Sequence, residues 1–206
     1  MKSLLVTGPI GGGKSFVCRM LQRCGVPVYD CDGRAKEVYV RHPGLLDRME
    51  TDLGMSLRTE DGALDRAKLA QRIFSDPQAR RRVNALVHPL VVQDMDEWQN
   101  GQSAPLVAFE SALFLSPEAG ASRPFDAVWY VDAPQEVRLR RILGRDACTT
   151  QQAQARMDAQ ALSPDDPRVD LVLHNDSGET ALARQVADAL RQLDPQTDYR
   201  KISTII

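Results

Sequence analysis

Residues 3–15 read Ser3-Leu4-Leu5-Val6-Thr7-Gly8-Pro9-Ile10-Gly11-Gly12-Gly13-Lys14-Ser15. A short apolar run, of the kind a strand buried on both faces requires, passes into Gly8–Ser15, which satisfies GxxxxGK[ST]. A helical pattern opens at once behind it, over Lys14–Gly25. Each part has a physical purpose. Glycines let the backbone curl so that successive N–H groups converge on an anion. A helix starting at the lysine aims its free N–H groups and positive dipole end at the same place. The strand–loop–helix order therefore predicts a nucleotide-phosphate cradle. Gly11, Gly12 and Gly13 wrap the phosphates, Phe16 follows in the first helical turn, Lys14 reaches the β and γ phosphates, and Ser15 offers its hydroxyl to a magnesium ion.

Working outward, short apolar runs alternate with amphipathic stretches, the pattern of an α/β fold with a parallel sheet. Pro27–Tyr29 reads as the second strand, closing at Asp30-Cys31-Asp32; Leu106–Glu110, Ala127–Val131 and Leu171–Leu173 complete five. Between the second and third strands, apolar residues recur at helical spacing: Leu64, Leu69, Ile73 and Phe74, then Val83, Leu86 and Val87. Structureless loops of that length are uncommon, so an inserted helical lobe is expected over about residues 33–102. Pro134 sits where a helix can begin. The helix behind it carries Arg138, Arg140, Arg141 and Arg145, and a polar helix over Thr150–Ala161 follows. The expected fold is thus a three-layer P-loop NTPase core (residues 1–32, 103–140 and 168–206) with a lid over about 141–167, closed by a helix near Glu179–Leu193.

Three groups of side chains are candidates for chemistry beyond the loop. Asp30 and Asp32 stand at the carboxyl end of the second strand, where open parallel sheets bind ligands. Strand alternation would send both acids one way and Cys31 the other. One carboxylate can orient an acceptor hydroxyl and take its proton while the other caps the helix beginning near Gly33; the reading favours Asp32 as base and Asp30 as cap. Glu110 closes the third strand, the place for an acid that assists the metal or its waters. Arg141 and Arg145 share a helix face at i, i+4 and can place charge over a transferring phosphoryl group while water is excluded. Each of these arginines could instead belong to a solvated face.

Composition narrows the field. The 206 residues are 43% apolar and 26% charged, ordinary for one globular domain with inserted lobes. A formal charge of -2 gives no global attraction to nucleic acid or anionic lipid. Leu4–Val6 is too short for a signal peptide's apolar region, and no later run is long enough to span a bilayer. Cys18, Cys24, Cys31 and Cys148 form no metal-ligand spacing and read as reduced thiols. The expectation is a cytoplasmic protein, a monomer or small homo-oligomer, acting on small molecules with neither nucleic acid nor membrane as partner. From the residues alone, a small-molecule kinase, a nucleoside or nucleoside monophosphate kinase and a nucleotide-binding regulator without catalysis all remain open.

Four stretches resemble the dephospho-CoA kinase family over most of the chain. Thr7–Ser15 is similar to the family's TGGIGSGKS, and Asp30-Cys31-Asp32 to its DAD. Leu64-Asp65-Arg66, Arg72-Ile73-Phe74 and Asn84-Ala85-Leu86-Val87-His88-Pro89 resemble its L-x-R, RIF and HPL pattern. Val131–Pro134 through Arg141 and Arg145-Asp146 resembles the start of its lid helix, and Asn175-Asp176-Ser177 its N-D/N-G close. The chain departs from the family pattern at Pro9, at Phe16 (usually threonine), at Ala112–Ser116 (for PLLFE), and near Asp165, where Arg168 is the nearby base. The resemblance implies ATP and Mg2+ as cofactors and transfer of the γ-phosphoryl group to the ribose 3'-hydroxyl of dephospho-CoA. It implies Asp32 as general base, with Lys14, Arg141 and Arg145 catalytic. Thr7, Asp32, Arg72, His88 and Glu110 would then be substrate-binding positions, with Ser15 and Glu110 (through water) at the metal. His88, read as lying at a helix end, either lines the acceptor pocket or makes a structural hydrogen bond. His42 and His174 have no constellation around them.

Overall fold

A computed structural model describes residues 1–112, 124–160, 162–198 and 202. Its strands are β1 (Lys2–Thr7), β2 (Val28–Asp30), β3 (Leu106–Glu110), β4 (Ala127–Asp132) and β5 (Leu171–His174). They pair in parallel in the order β2-β3-β1-β4-β5. β1 is central, with Val6 opposite Glu110 on one side and Trp129 on the other. The loop leaving β1 therefore emerges mid-sheet, at the carboxyl edge where chain connections diverge.

The alternation of side chains along each strand divides the core. Leu4, Val6, Ala108, Trp129 and Val131 face α1 (Lys14–Arg23) and α8 (Glu179–Leu193), which bury Val17, Leu21, Leu182 and Val186 against them. The opposite face carries Tyr29, Phe109 and Phe125, with successive ring centroids 5.6 Å apart in each pair. Four further helices run between β2 and β3: α2 (Cys31–Arg41), α3 (Pro43–Leu53), α4 (Arg66–Ser75) and α5 (Pro77–Asn100). The remaining two, α6 (Gln135–Arg145) and α7 (Thr150–Asp158), lie between β4 and β5.

The chain divides into two compact units. The first holds Met1–Asp30, β3 and the chain from Pro124 onward; within it α6 and α7 pack through Ile142, Ala153 and Met157, joined by Ile10 of the glycine loop. The second holds Cys31–Asn100. There α5 buries Ala79, Val83, Val87, Val91 and Met95, a stripe on one helix face with a residue at every fourth position. Asp65 caps α4 by accepting from the Lys68 N–H at 2.9 Å, and Asp94 of α5 receives Arg34 and Arg41 of α2.

The structure corrects three local expectations. β2 stops at Asp30, opposite the last residue of β3, and α2 starts at Cys31 rather than near Gly33. Strand alternation therefore does not place Asp32: it lies exposed in the first turn of a helix, beside buried Cys31. His88 is not at a helix end, because α5 runs on through Pro89 to Asn100. The helix expected over Thr150–Ala161 ends at Asp158. Of the Ala112–Ser116 stretch, residues 113–116 lie outside the described residues, as does Ala161.

Candidate active site

The loop's shape follows from what surrounds it. Gly8, Gly11 and Gly13 all have positive φ, at 132°, 78° and 109°. A Cβ on Gly8 would lie 2.4 Å from the Val131 carbonyl oxygen, and one on Gly12 2.6 Å from the same atom. The loop thus lies flush against β4, closer than any side chain permits. α1 begins at Lys14 behind left-handed Gly13, with no side chain capping it. The loop is also held at Ile10, whose N–H donates to Gln160 Oε1 at 2.6 Å.

Ser15 and Glu110 come together: Ser15 Oγ donates to Glu110 Oε1 at 2.7 Å. Glu110 also borders Cys18, whose buried thiol is pushed well above its ordinary pKa, first by burial and then by the Glu110 charge and hydrogen bond. Lys14 Nζ donates to the carbonyls of Gly8 at 3.0 Å and Pro9 at 3.3 Å, folded back along its own loop. Thr7 is fully buried, and its hydroxyl finds no partner among the described residues.

A cleft of about 460 Å³ opens over the loop, lined by Gly11, Gly13 and Lys14 through Phe16 on one side and Arg141, Arg145 and Asn175 on the other. Arg141 Nη1 donates to the Gly11 and Gly12 carbonyls at 3.1 and 3.2 Å. Arg145 is held by both oxygens of Asp146, at 2.8 and 3.1 Å, and Arg156 reaches the same carboxylate at 3.0 Å. These hydrogen bonds, those from Arg145 foremost, hold the Asp146 carboxyl below its usual range. Phe16 lies under the Arg19 guanidinium, 5.5 Å from ring centroid to cation, and both line the cleft.

In the helical unit, Asp32 is exposed in α2, Arg72 pairs with Asp76 at 3.0 Å one turn on, and His88 is half-buried in α5. The sequence reading passed over Arg19, although it stands i+4 from Ser15 and so on the same face of α1. It also passed over Gln160, for which no local pattern gives a signal. Asn175 was singled out only by resemblance, although its place just past β5 puts it on the same carboxyl edge.

What the arrangement can do is bind a polyphosphate. It offers glycine N–H groups, a lysine and two arginines at one end, with a hydroxyl and a carboxylate beside them as hard oxygen donors. Similarity to known proteins agrees. The dephospho-CoA kinase family model matches residues 3–181. The dephospho-CoA kinase of Deinococcus radiodurans is 39% identical over 199 residues, covering 94% of this chain and 93% of that one. The crystal structure of TT1252 from Thermus thermophilus superposes with a TM-score of 0.80 at 32% identity, covering 93% of this chain and 97% of that one. The Campylobacter jejuni dephospho-CoA kinase, at 20% identity and TM-score 0.66 over 95% and 98% of the two chains, shares the fold. Phosphate loop, parallel sheet, helical segment and arginine-bearing α6 all fall within the matched residues, and the chain belongs to the dephospho-CoA kinase family.

Proposed function

We propose that this chain transfers the γ-phosphoryl group of ATP to the 3'-hydroxyl of the dephospho-CoA ribose, the last step of coenzyme A synthesis. The observation that carries the reading is the Ser15–Glu110 pair beside Lys14, set on the central strand's carboxyl edge in a chain of this family.

In this reading Lys14 exchanges the Gly8 and Pro9 carbonyls for β- and γ-phosphate oxygens. Gly11, Gly12, Gly13 and Phe16 supply backbone contacts, and Thr7 packs beneath the loop. Ser15 and Glu110 fit a magnesium ion, which takes few protein oxygens and completes its shell with phosphate and water. Magnesium supplies charge neutralisation at the phosphate oxygens. The acceptor oxygen forms the new bond to the γ phosphorus as the bond to the β–γ bridging oxygen breaks. ADP leaves, and Asp32 takes the hydroxyl proton. Arg141 and Arg145 stabilise the charge on the transferring group, while Arg72 and His88 belong to the acceptor side. Residues 33–102 form the acceptor lobe and 141–167 the lid. Little covalent chemistry is asked of the protein, so positioning and electrostatics dominate.

No helix among the described residues is long and apolar enough to cross a membrane. The four cysteines, none of them in a disulfide, support placing the reaction in the cytoplasm. The test is ADP release from Mg-ATP with dephospho-CoA, alongside AMP, nucleosides and a no-acceptor control, with mass spectrometry of the product. Coenzyme A formed only with dephospho-CoA is the expected result; release with another acceptor would sink the substrate assignment.

A further inference from the structure

The residue that follows β5 is drawn against the phosphate loop. Asn175 is 6% exposed, and its polar groups are engaged on several sides. Its backbone N–H donates to the Asp132 carbonyl at 2.7 Å, which fixes the main chain at the sheet edge. Its own carbonyl and its Oδ1 accept from Arg141 Nη2 at 3.2 and 3.0 Å. Its Nδ2 donates to the Gly12 carbonyl at 2.8 Å. Partner chemistry leaves one orientation for this amide. A guanidinium only donates, so the amide oxygen must face Arg141; a carbonyl only accepts, so the nitrogen must face Gly12.

The consequence lies in the peptide joining Gly12 and Gly13. In a trans peptide the carbonyl and the following N–H point in opposite directions. Asn175 and Arg141 together draw the Gly12 carbonyl outward, and the Gly13 N–H is thereby turned the other way. That N–H makes no hydrogen bond among the described residues. The fit is close: a Cβ on Gly13 would fall 2.0 Å from Asn175 Nδ2. The amide thus occupies the space any larger residue at 13 would need.

We propose that Asn175 is a positioning residue for the phosphoryl donor. It holds the Gly12–Gly13 peptide with its N–H presented to the phosphates, acting through the loop and taking no part in reading the base. This rests on the reading that the loop takes ATP, but not on the identity of the acceptor.

Asn175→Asp keeps the side-chain shape and the acceptor for Arg141, but replaces the donor with an oxygen facing the Gly12 carbonyl. Titration calorimetry of the whole chain with Mg-ATP and Mg-GTP reads the effect without any acceptor present. The expected result is ATP affinity weaker by roughly tenfold or more, the scale for a buried carbonyl left facing another acceptor. GTP affinity should fall by the same factor, and the KM for dephospho-CoA should stay unchanged. An unaltered ATP affinity in the folded variant overturns the proposal, as does a changed ratio of ATP to GTP affinity, which would make Asn175 a reader of the base. If the variant shows no cooperative melt, Asn175→Ser, which loses reach without adding charge, is judged by the same two criteria. Failure to phosphorylate dephospho-CoA would sink the acceptor assignment while calorimetry still decides this proposal. A wild-type chain that binds no Mg-ATP overturns both.

Discussion

Ser15 Oγ donates a hydrogen bond of 2.7 Å to Glu110 Oε1, joining the first turn of α1 to the last residue of β3 across ninety-five positions of sequence. The contact exists because β1 and β3 are parallel neighbours in a register that sets Val6 opposite Glu110. The helix start and the strand end are thereby brought to one edge of the sheet. In the proposed function, a hydroxyl and a carboxylate so placed would receive a hydrated divalent cation with its phosphates.

Glu110→Gln therefore raises the magnesium requirement. The amide can still accept from Ser15, so the loop keeps its shape, but the negative charge is gone. The expected change is a 10- to 100-fold weaker apparent magnesium affinity, the usual scale for residues that support a metal's ligands. Titrating magnesium at fixed ATP measures it. An unchanged magnesium curve would remove Glu110 from the metal's surroundings. EDTA should abolish turnover in both proteins.

Lys14→Ala and Asp32→Asn are expected to cut kcat in different ways. Loss of Lys14 removes a cation from the phosphates, at a cost of about 10²–10³-fold. Loss of the Asp32 carboxylate, the proposed proton acceptor, should cost about 10²–10⁴-fold, with ATP affinity preserved. Steady-state kinetics beside ATP calorimetry separates the two. A fully active Asp32→Asn enzyme would exclude Asp32 as base.

The sheet and the phosphate end of the site were legible in the sequence because their signals are local. Leu106–Glu110 and Glu179–Leu193 were read with the bounds the structure gives, since apolar periodicity alone defines them. A motif and a strand end mark Lys14, Ser15 and Glu110 in the sequence, and the structure brings Ser15 and Glu110 into contact. Local signals failed where pairing decides the conformation. Asp32 was read as part of a strand, but β2 can run no further than its partner β3, which ends opposite Asp30. His88 was read at a helix end, yet the buried stripe on both sides of it, Val83 and Val87 before and Val91 and Met95 after, carries α5 through Pro89. The contacts of Gln160 with Ile10 and of Asn175 with Gly12 span 150 and 163 residues, distances over which no local pattern speaks.

Gly8→Ala should be destabilising as well as inactivating. Its φ of 132° is one that side chains rarely adopt, and the added Cβ would meet the Val131 carbonyl oxygen at 2.4 Å, a backbone atom unable to rotate away. Strain of this kind is worth about 1–3 kcal/mol, and for a chain of this size about 2–4 °C of melting temperature per kcal/mol. Thermal melts should therefore show a loss of at least a few degrees, with ATP no longer raising the midpoint. A wild-type midpoint would mean that β4 and the loop are less closely apposed than described.

The turn before β5 carries a pH signature. Arg168 donates side-chain and backbone hydrogen bonds to Asp166 and lowers its carboxyl from the ordinary 3.8 to about 2. A depressed folded-state value means that the unfolded chain binds the proton first as pH falls. The contribution of this pair is complete above the unfolded value and is lost as pH drops through about 2. NMR titration should find Asp166 near that value, and Arg168→Ala should return it toward the ordinary range. Between these two pH values the variant's stability should fall less steeply than the wild type's.

Asp146 offers the sharpest separation of stability from catalysis. It holds Arg145 through both oxygens and shares its charge with Arg156, yet the Arg145 side chain is 63% exposed and that of Arg156 53%. Exposed pairs contribute little to stability, so Asp146→Asn should leave the melting temperature nearly unchanged. An amide presents one acceptor where the carboxylate presents two, so Arg145 loses its two-point fixation and swings over the cleft it lines. If Arg145 acts only on the transferring phosphoryl group, kcat should fall roughly tenfold while ATP affinity holds, because a misaligned donor is felt mainly in the transition state. Equal losses in kcat for Arg145→Ala and for the double variant Asp146→Asn/Arg145→Ala would show that the carboxylate acts only by aiming Arg145. A kcat unchanged by either would remove Arg145 from the reaction and leave Arg141 as the working cation of α6.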